Sequence, residues 1–119
     1  MKYLIPLQEN SGITSKISFH FGRSPYYAIV THDQSADKIE MEIKSISSIS
    51  HGEICGAGEL VERSGADAVI VKGIGPKAIQ MLQRRGTRVY MTSSETLNQV
   101  IEEIRAGKLK PASDNVLCR

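Results

Sequence analysis

The sequence predicts an α/β domain built on a mixed sheet, and three patterns carry this prediction. Residues 66–71 form a short, β-branched apolar run that ends at a Gly-Pro corner, as a buried parallel strand before a helix does. Residues 38–44 alternate apolar and charged side chains, which is typical of a half-exposed strand. Apolar stripes at helical spacing, each closed by a glycine, lie between strand-like runs. With 119 residues, 40% of them hydrophobic, the chain suits one domain with one core.

Three strands are predicted before the first helix. Residues 2–7 and 26–31 are the first two strands, and a polar turn at 32–37 connects the second to the half-exposed third. Residues 8–25 form a long polar loop, which we expect to be poor in apolar anchors and mobile. Residues 45–56 form a second polar loop.

Three helices follow, and two strands lie between them. The first helix carries a stripe of Ala57, Leu60 and Val61 and is stopped by Gly65. The second starts at Pro76 and is stopped by Gly86, and the last is capped by Ser93 or Ser94 and ends at Gly107. The intervening strands are the apolar run before the Gly-Pro corner and residues 87–91. The single domain is therefore assigned to residues 1–107, with a loose tail at 108–119.

The connections between these elements restrict the topology. Right-handed β-α-β crossovers make the later strands parallel. If strand one pairs with strand four, the five-stranded order is 3-2-1-4-5 with only strand two antiparallel, which is a ribonuclease H-like three-layer arrangement. Strands one, three and four then run the same way. Their loops meet at one edge, where open α/β sheets place ligands.

Side chains that can bind metal fall in two of these loops. His20 lies between two phenylalanines, and its imidazole could ligate a transition metal or merely cap a turn. His51 and Cys55 are four residues apart, so they share a face if the loop is helical, although Cys55 could equally be a buried apolar residue near a surface histidine. Because the chain has no Cys-x-x-Cys pair, a bound cluster would need exogenous ligands or a second subunit. Cys118 is expected to have no role.

The Gly-Pro corner is a candidate anion site. Gly73 and Gly75 are expected to permit backbone torsions that other residues disfavour, and Pro76 predicts a bare helix N-terminus behind them. Such a terminus presents unpaired N–H groups and partial positive charge, to which Lys72, Arg23 and Lys77 would add. The alternative is a simple tight connection from strand to helix.

Composition narrows the function classes. The net charge is +2, with 15 basic and 13 acidic residues spread along the chain, so neither nucleic acid nor an anionic membrane is an expected partner. No apolar stretch approaches the roughly 20 residues of a membrane span, and a cytoplasmic location is expected. The first strand carries no carboxylate for a nuclease metal site, so the predicted fold brings no nuclease activity and no enzyme is predicted.

Four motifs in order carry a family resemblance. They are His20 to Tyr27 (HFGRSPYY), His51-Gly52, Gly65 to Ile70 (GADAVI) and Gly73 to Ala78 (GIGPKA). Over residues 1–107 the chain resembles the dinitrogenase iron-molybdenum cofactor biosynthesis family of NifX-type carriers and small stand-alone proteins. The resemblance implies a ribonuclease H-like domain that binds an iron-sulfur-containing, iron-molybdenum cofactor-like cluster or its precursor and passes it on without catalysis. It makes His20 a candidate cluster ligand.

The favoured function is therefore a cytoplasmic metallocluster carrier that works with cluster donor or acceptor proteins, as a monomer or weak homodimer. The predicted cofactor-binding residues are His20, Gly22, Arg23, His51, Cys55, Gly73 and Gly75, with His20 and Cys55 as metal ligands. One alternative is a regulatory module that binds a small anion or metabolite at the helix N-terminus of Gly73–Pro76. Another is a protein-interaction module that dimerises through a sheet edge.

Overall fold

The computed structural model of the chain describes residues 1–19, 21, 24–45 and 57–111. A mixed sheet runs through these residues, and three α-helices pack on it. The elements are β1 (Lys2–Leu7), β2 (Tyr26–Asp33), β3 (Lys38–Ser45), α1 (Ala57–Ser64), β4 (Ala68–Val71), α2 (Pro76–Arg84), β5 (Arg88–Met91), α3 (Leu97–Ala106) and β6 (Lys110–Pro111). A short 3-10 turn, Gly12–Thr14, lies in the connection after β1.

The strand order is β3-β2-β1-β4-β5-β6. Strand β2 is antiparallel to both β1 and β3, whereas β1, β4 and β5 are parallel to one another. The predicted order 3-2-1-4-5 is thus confirmed for the first five strands. The predicted number of strands is wrong, because β6 adds a sixth strand antiparallel to β5 at the edge.

Strand β6 pairs through only two residues, Lys110 with Met91 and Pro111 with Tyr90. Both of its residues are exposed, so the segment shows no alternating apolar pattern in the sequence. Pro111 lacks a backbone N–H, and a proline is compatible with a strand at the edge of a sheet. The strand lies at the start of the segment predicted to be a tail, of which residues 112–119 lie outside the described part.

The two faces of the sheet bury separate apolar clusters, because successive side chains of a strand point to opposite faces. On one face, Leu4 and Val69 pack with residues of α1 and α2 such as Val61 and Leu82. On the other face, neighbouring strand residues pack with α3. All four residues of β4 are buried, as predicted for a strand covered on both sides. Burial of each valine or isoleucine side chain of this strand contributes about 1.5–3 kcal/mol.

Each helix is followed by a glycine with positive φ. Gly65 has φ 72°, Gly86 has φ 80° and Gly107 has φ 67°, a backbone region that other residues rarely adopt. The predicted helix ends are confirmed. The predicted caps of the last helix are wrong, because Thr96 is its N-cap and Gln99 Oε1 accepts a hydrogen bond from the Thr96 N–H at 3.2 Å.

Candidate functional site

Four strand ends share one edge of the sheet. Because β3 is antiparallel to β2, it runs in the same direction as β1, β4 and β5. The chain therefore leaves the sheet from Leu7, Ser45, Val71 and Met91 at the same edge. We call this edge the rim. Open α/β sheets bind ligands at such an edge, so the rim is the candidate functional site.

The connection after β1 is well anchored at the rim. Ile17 is 1% exposed and forms an isolated bridge with Leu7, and its N–H donates to Glu95 O at 2.9 Å. The neighbouring Ser18 N–H donates to Pro6 O at 2.9 Å, and Lys16 forms a bridge with Thr96. The expectation that this loop lacks apolar anchors is wrong. Ile17 ties it to the segment between β5 and α3.

The two phenylalanines that flank His20 have opposite environments. Phe19 is 57% exposed, whereas Phe21 is buried against Tyr27 with the two rings edge to face at 6.1 Å. The Tyr27 hydroxyl donates a hydrogen bond to Phe21 O. Burial raises the pKa of Tyr27, and its contacts with Ser24 oppose that rise. Phe21 is thus an anchor within the core, and Phe19 remains at the surface of the rim.

The corner between β4 and α2 is shaped by the close approach of Phe19. A Cβ on residue 73 would lie 3.3 Å from Phe19 O, which is tighter than an ordinary contact, so Gly73 allows the two backbones to approach. Gly75 has φ −74° and ψ 155°, an extended conformation open to any residue. Neither glycine has a positive φ. The expectation that Gly73 and Gly75 supply unusual torsions is therefore wrong.

The N-terminus of α2 is open at this corner. Pro76 occupies the start of the helix as predicted, and no side chain of the described residues caps it. A Cβ placed on Gly75 would have no described heavy atom within 4 Å. The first-turn N–H groups of a helix need partners from outside the helix, and together with the helix dipole they favour an anion.

A buried cation lies beside this corner. The Lys72 side chain is 6% exposed, and its Nζ atom lies 3.0 Å from Glu95 Oε1. The same Nζ lies 4.6 Å from the centre of the Phe19 ring, a cation–π distance. A buried ammonium needs such partners because its loss of hydration is costly. Sequence reasoning identified Lys72 only as nearby charge. It missed Glu95 and Phe19, because no local pattern connects residues so far apart in the chain.

The segment that carries Glu95 is held by polar contacts of its own. Thr92 Oγ1 donates to Glu103 Oε1 at 2.6 Å, and Ser94 Oγ donates to the same atom. The Ser94 N–H donates to Thr92 Oγ1 at 3.0 Å. These groups satisfy one another, so they fix the start of α3 and with it the position of Glu95.

The described residues contain only part of the predicted site. Gly73 and Gly75 lie together at the corner, while the remaining predicted binding residues lie outside the described part of the chain: His20, Gly22, Arg23, His51 and Cys55. The same holds for Cys118. Within the described ranges, no group of three or more His, Cys, Asp or Glu side chains is arranged to hold a metal ion.

The fold and the rim define an α/β domain in which four strand ends and an uncapped helix N-terminus meet at one edge of the sheet. The chain belongs to the dinitrogenase iron-molybdenum cofactor family, whose model matches residues 1–107. The predicted family resemblance is confirmed. No helix in the described part of the chain is long and apolar enough to cross a membrane.

Individual relatives match the chain over most of its length. It is 29% identical over 111 residues to MJ0580, an uncharacterised protein of Methanocaldococcus jannaschii, covering 92% of this chain and 90% of that protein. The crystal structure of PH0822 is similar with a TM-score of 0.75 and 28% identity, covering 96% and 97% of the two chains. The apo orange protein from Desulfovibrio gigas has a TM-score of 0.66 at 19% identity over 94% and 92%, a likeness of fold alone.

Proposed function

We propose that this protein is a non-catalytic carrier that binds an iron-sulfur-containing metallocluster, or a precursor of one, at the rim. Membership of a family named for the iron-molybdenum cofactor of dinitrogenase supports this proposal. The observation that carries it is the contact between Phe19 and Gly73, which joins the loop after β1 to the open N-terminus of α2. The ribonuclease H-like description of the fold belongs to the same proposal.

The contact at Gly73 gives His20 its role in the proposal. Phe19 O packs on the corner, and Phe19 is the residue before His20 in the sequence. The His20 imidazole is the first proposed cluster ligand. Cys55 is the second, since a thiolate is a preferred ligand of iron-sulfur clusters.

The charge of the rim fits the proposed cargo. Sulfide and thiolate ligands give such clusters negative charge. The N-terminus of α2 provides positive charge beside the corner. Arg23 and His51, with the backbone of Gly22, Gly73 and Gly75, are proposed to line the bound cluster. The Glu95 carboxylate offsets the charge of Lys72, so the proposed positive charge comes from the helix terminus and Arg23.

The small number of protein ligands suits a carrier. Two donors leave other metal positions of a cluster free for exogenous ligands or for a partner protein. A cargo held in this way can be exchanged with a donor or acceptor protein by replacing a few bonds. The carrier itself then needs no catalytic group, and a monomer or weak homodimer is sufficient.

Anaerobic reconstitution of the full-length chain with iron and sulfide tests the proposal. We expect broad visible absorption that survives desalting, with strongly reduced retention in His20→Ala and a smaller reduction in Cys55→Ala. Cys118→Ala is the control for nonspecific thiol chemistry and should match the parent. Retention should also fall as pH drops through the histidine range, because only neutral imidazole donates to metal. Unchanged retention in His20→Ala, together with its loss in Cys118→Ala, would reject this site.

A second candidate function is a module that binds a small anion at α2 without iron. Two features favour it: no described heavy atom lies within 4 Å of a Cβ placed on Gly75, and no described side chain caps α2. Inorganic phosphate should then raise the melting temperature in metal-free buffer, and sodium chloride at equal ionic strength should not. A shift of this kind without cluster retention would favour the anion module over the carrier.

A further inference from the structure

A second concave site lies at the edge of the sheet opposite the rim. It is a pocket of about 440 Å³ where the start of β1, the end of β2 and the start of β5 meet, lined among others by Tyr3, His32, Gln34, Arg88 and Tyr90. We call it the His32 pocket. Pockets for small molecules typically have volumes of roughly 300–1,000 Å³. Nothing in the proposed cluster site accounts for it.

His32 is the first unusual feature of this pocket. It is 5% exposed, and neither of its ring nitrogens has a hydrogen-bond partner among the described residues. Asp37 Oδ1 lies 3.5 Å from Nε2, at the long limit of a hydrogen bond, and Nδ1 lacks even such a neighbour. Buried polar side chains almost always have partners. Both ring nitrogens have almost no accessible surface, so a ligand in the pocket contacts them only after a side chain of the wall moves.

Arg88 is the second unusual feature. Arg88 is exposed, and its guanidinium forms no salt bridge with any residue in the described ranges. The positive charge of Arg88 acts on the Tyr3 hydroxyl, whose pKa is raised by burial first and by Tyr90 second, while Arg88 lowers it. The guanidinium therefore acts on the Tyr3 hydroxyl, and no described carboxylate pairs with it.

The tyrosines give the pocket an aromatic wall. The rings of Tyr3 and Tyr90 lie 6.3 Å apart and are tilted by 56°. Such a pair has the geometry of an aromatic contact, and an aromatic ring of a ligand can pack against the same two side chains. The wall and the arginine are held together by the sheet, because Tyr90 and Arg88 are on the same face of β5.

Two carboxylates near the pocket, Asp33 and Asp67, have hydrogen-bond partners, whereas Asp37 faces His32 Nε2 at 3.5 Å. Asp33 Oδ1 accepts hydrogen bonds from the Ser35 N–H at 3.0 Å and the Ala36 N–H at 3.4 Å within the turn between β2 and β3. Asp67, whose charge also reaches Tyr3, accepts from the Lys2 N–H at 2.9 Å. Arg88 is therefore a charged group that a ligand can match, and the Met1 ammonium, which donates to His32 O at 2.8 Å, also lies at this pocket.

We propose that the His32 pocket binds a small aromatic carboxylate. The planar fork of Arg88 matches a carboxylate, the two tyrosines accommodate the ring, and a polar substituent reaches His32. A ring with one carboxylate and one hydroxyl also fits the volume. This site is separate from the rim. The binding experiment for the His32 pocket and the cluster-retention experiment therefore test the two proposals independently.

Calorimetric and NMR titration of the full-length chain with 4-hydroxybenzoate tests the proposal. We expect saturable binding, with amide shifts concentrated in the turn between β2 and β3 and at the start of β5. Arg88→Gln should weaken binding at least tenfold. Arg84→Gln is the matched control, because Arg84 is an exposed arginine in the last turn of α2. Its affinity should equal that of the parent.

Two further probes test the roles of the carboxylate and of the aromatic ring separately. The neutral 4-hydroxybenzamide should bind at least tenfold more weakly, and inorganic phosphate should produce no saturable shifts at these residues. The proposal would be overturned if the amide or phosphate bound as tightly as 4-hydroxybenzoate, or if 4-hydroxybenzoate did not bind at all. It would also be overturned if Arg88→Gln and Arg84→Gln changed the affinity equally. The spectrum of Arg88→Gln without ligand verifies that the variant is folded.

Discussion

Lys72 Nζ lies 3.0 Å from Glu95 Oε1, although the lysine side chain is 6% exposed and the glutamate side chain is 74% exposed. The pair joins the end of β4 to the segment before α3. It therefore links the loop after β4 to the loop after β5, both of which leave the sheet at the rim. Arg85 and Glu62 form a comparable pair at 3.2 Å, in which the side chains are 47% and 72% exposed. The two pairs differ mainly in the burial of the cation.

This difference predicts unequal costs for removing the carboxylates. Glu95→Gln should lower the free energy of unfolding by about 1–2 kcal/mol, because it leaves a buried ammonium without its partner. Glu62→Gln should cost less than about 0.5 kcal/mol, because an exposed pair is weak. Urea denaturation at neutral pH measures both. Equal losses in the two variants would mean that the burial of Lys72 has no energetic consequence.

The two glycines of the corner should respond differently to alanine. Gly73→Ala should destabilise the protein by about 1 kcal/mol, because the new Cβ would press on Phe19 O and the loop must shift. Gly75→Ala should change stability by no more than about 0.5 kcal/mol, since its torsions are ordinary and no described heavy atom lies within 4 Å of the new Cβ. Thermal unfolding of both variants gives the comparison. A larger loss in Gly75→Ala would contradict this interpretation of the corner.

Removing the Tyr27 hydroxyl should change how stability depends on pH. Burial raises the pKa of Tyr27 above its usual 10.0, so its contribution is fully present below pH 10.0 and is lost as pH rises through the folded pKa. At neutral pH, Tyr27→Phe should cost about 0.5–1.5 kcal/mol through the lost hydrogen bond to Phe21. Above pH 10.0 the gap to the parent should narrow.

Tyr26→Phe is the matched control for that experiment, since Tyr26 is the adjacent, half-buried tyrosine. Its stability should follow the parent at neutral pH. Tyr3 also has a raised pKa, so some alkaline loss should remain in Tyr27→Phe. A gap that stays constant from pH 7 to pH 11 would show that Tyr27 does not resist ionisation in the folded state.

Two truncations test where the folded domain ends. A chain ending at Pro111 keeps β6 and Leu109, which packs against the cluster under α3. A chain ending at Gly107 loses both, and it should be less stable by about 1–2 kcal/mol because apolar surface is exposed. For a domain of this size that corresponds to a melting temperature lower by roughly 4–16 °C. Equal melting temperatures would support a boundary at residue 107.

Much of the fold could be predicted because the relevant residues act locally. The run at β4 is apolar because both of its faces are covered, and Gly65, Gly86 and Gly107 adopt the positive φ that ends a helix. The crossover rule then orders the parallel strands. Strand β6 was not predicted because only its backbone pairs with β5. Its two residues are exposed, so they produce no apolar pattern in the sequence.

The candidate site was less predictable, because its contacts join distant parts of the chain. A glycine at position 73 can indicate an unusual torsion or a close approach, and only the position of Phe19 O distinguishes them. Likewise, a lysine after a strand usually stays in solvent, and nothing near Lys72 in the sequence indicates that Glu95 covers it. Ile17 shows the same limitation, since one apolar residue in a polar loop can anchor it or be exposed.

Strand β1 is synthesised before the other described strands, yet it lies in the interior of the sheet. Its antiparallel partner β2 is complete by Asp33, whereas its parallel partner β4 is complete only at Val71. A nascent chain can therefore form the β1-β2-β3 meander early, while the other edge of β1 still has unpaired backbone groups. That edge is a place where a chaperone or a second nascent chain can pair. The rate at which the ribosome delivers α1 and β4 sets how long this exposure lasts.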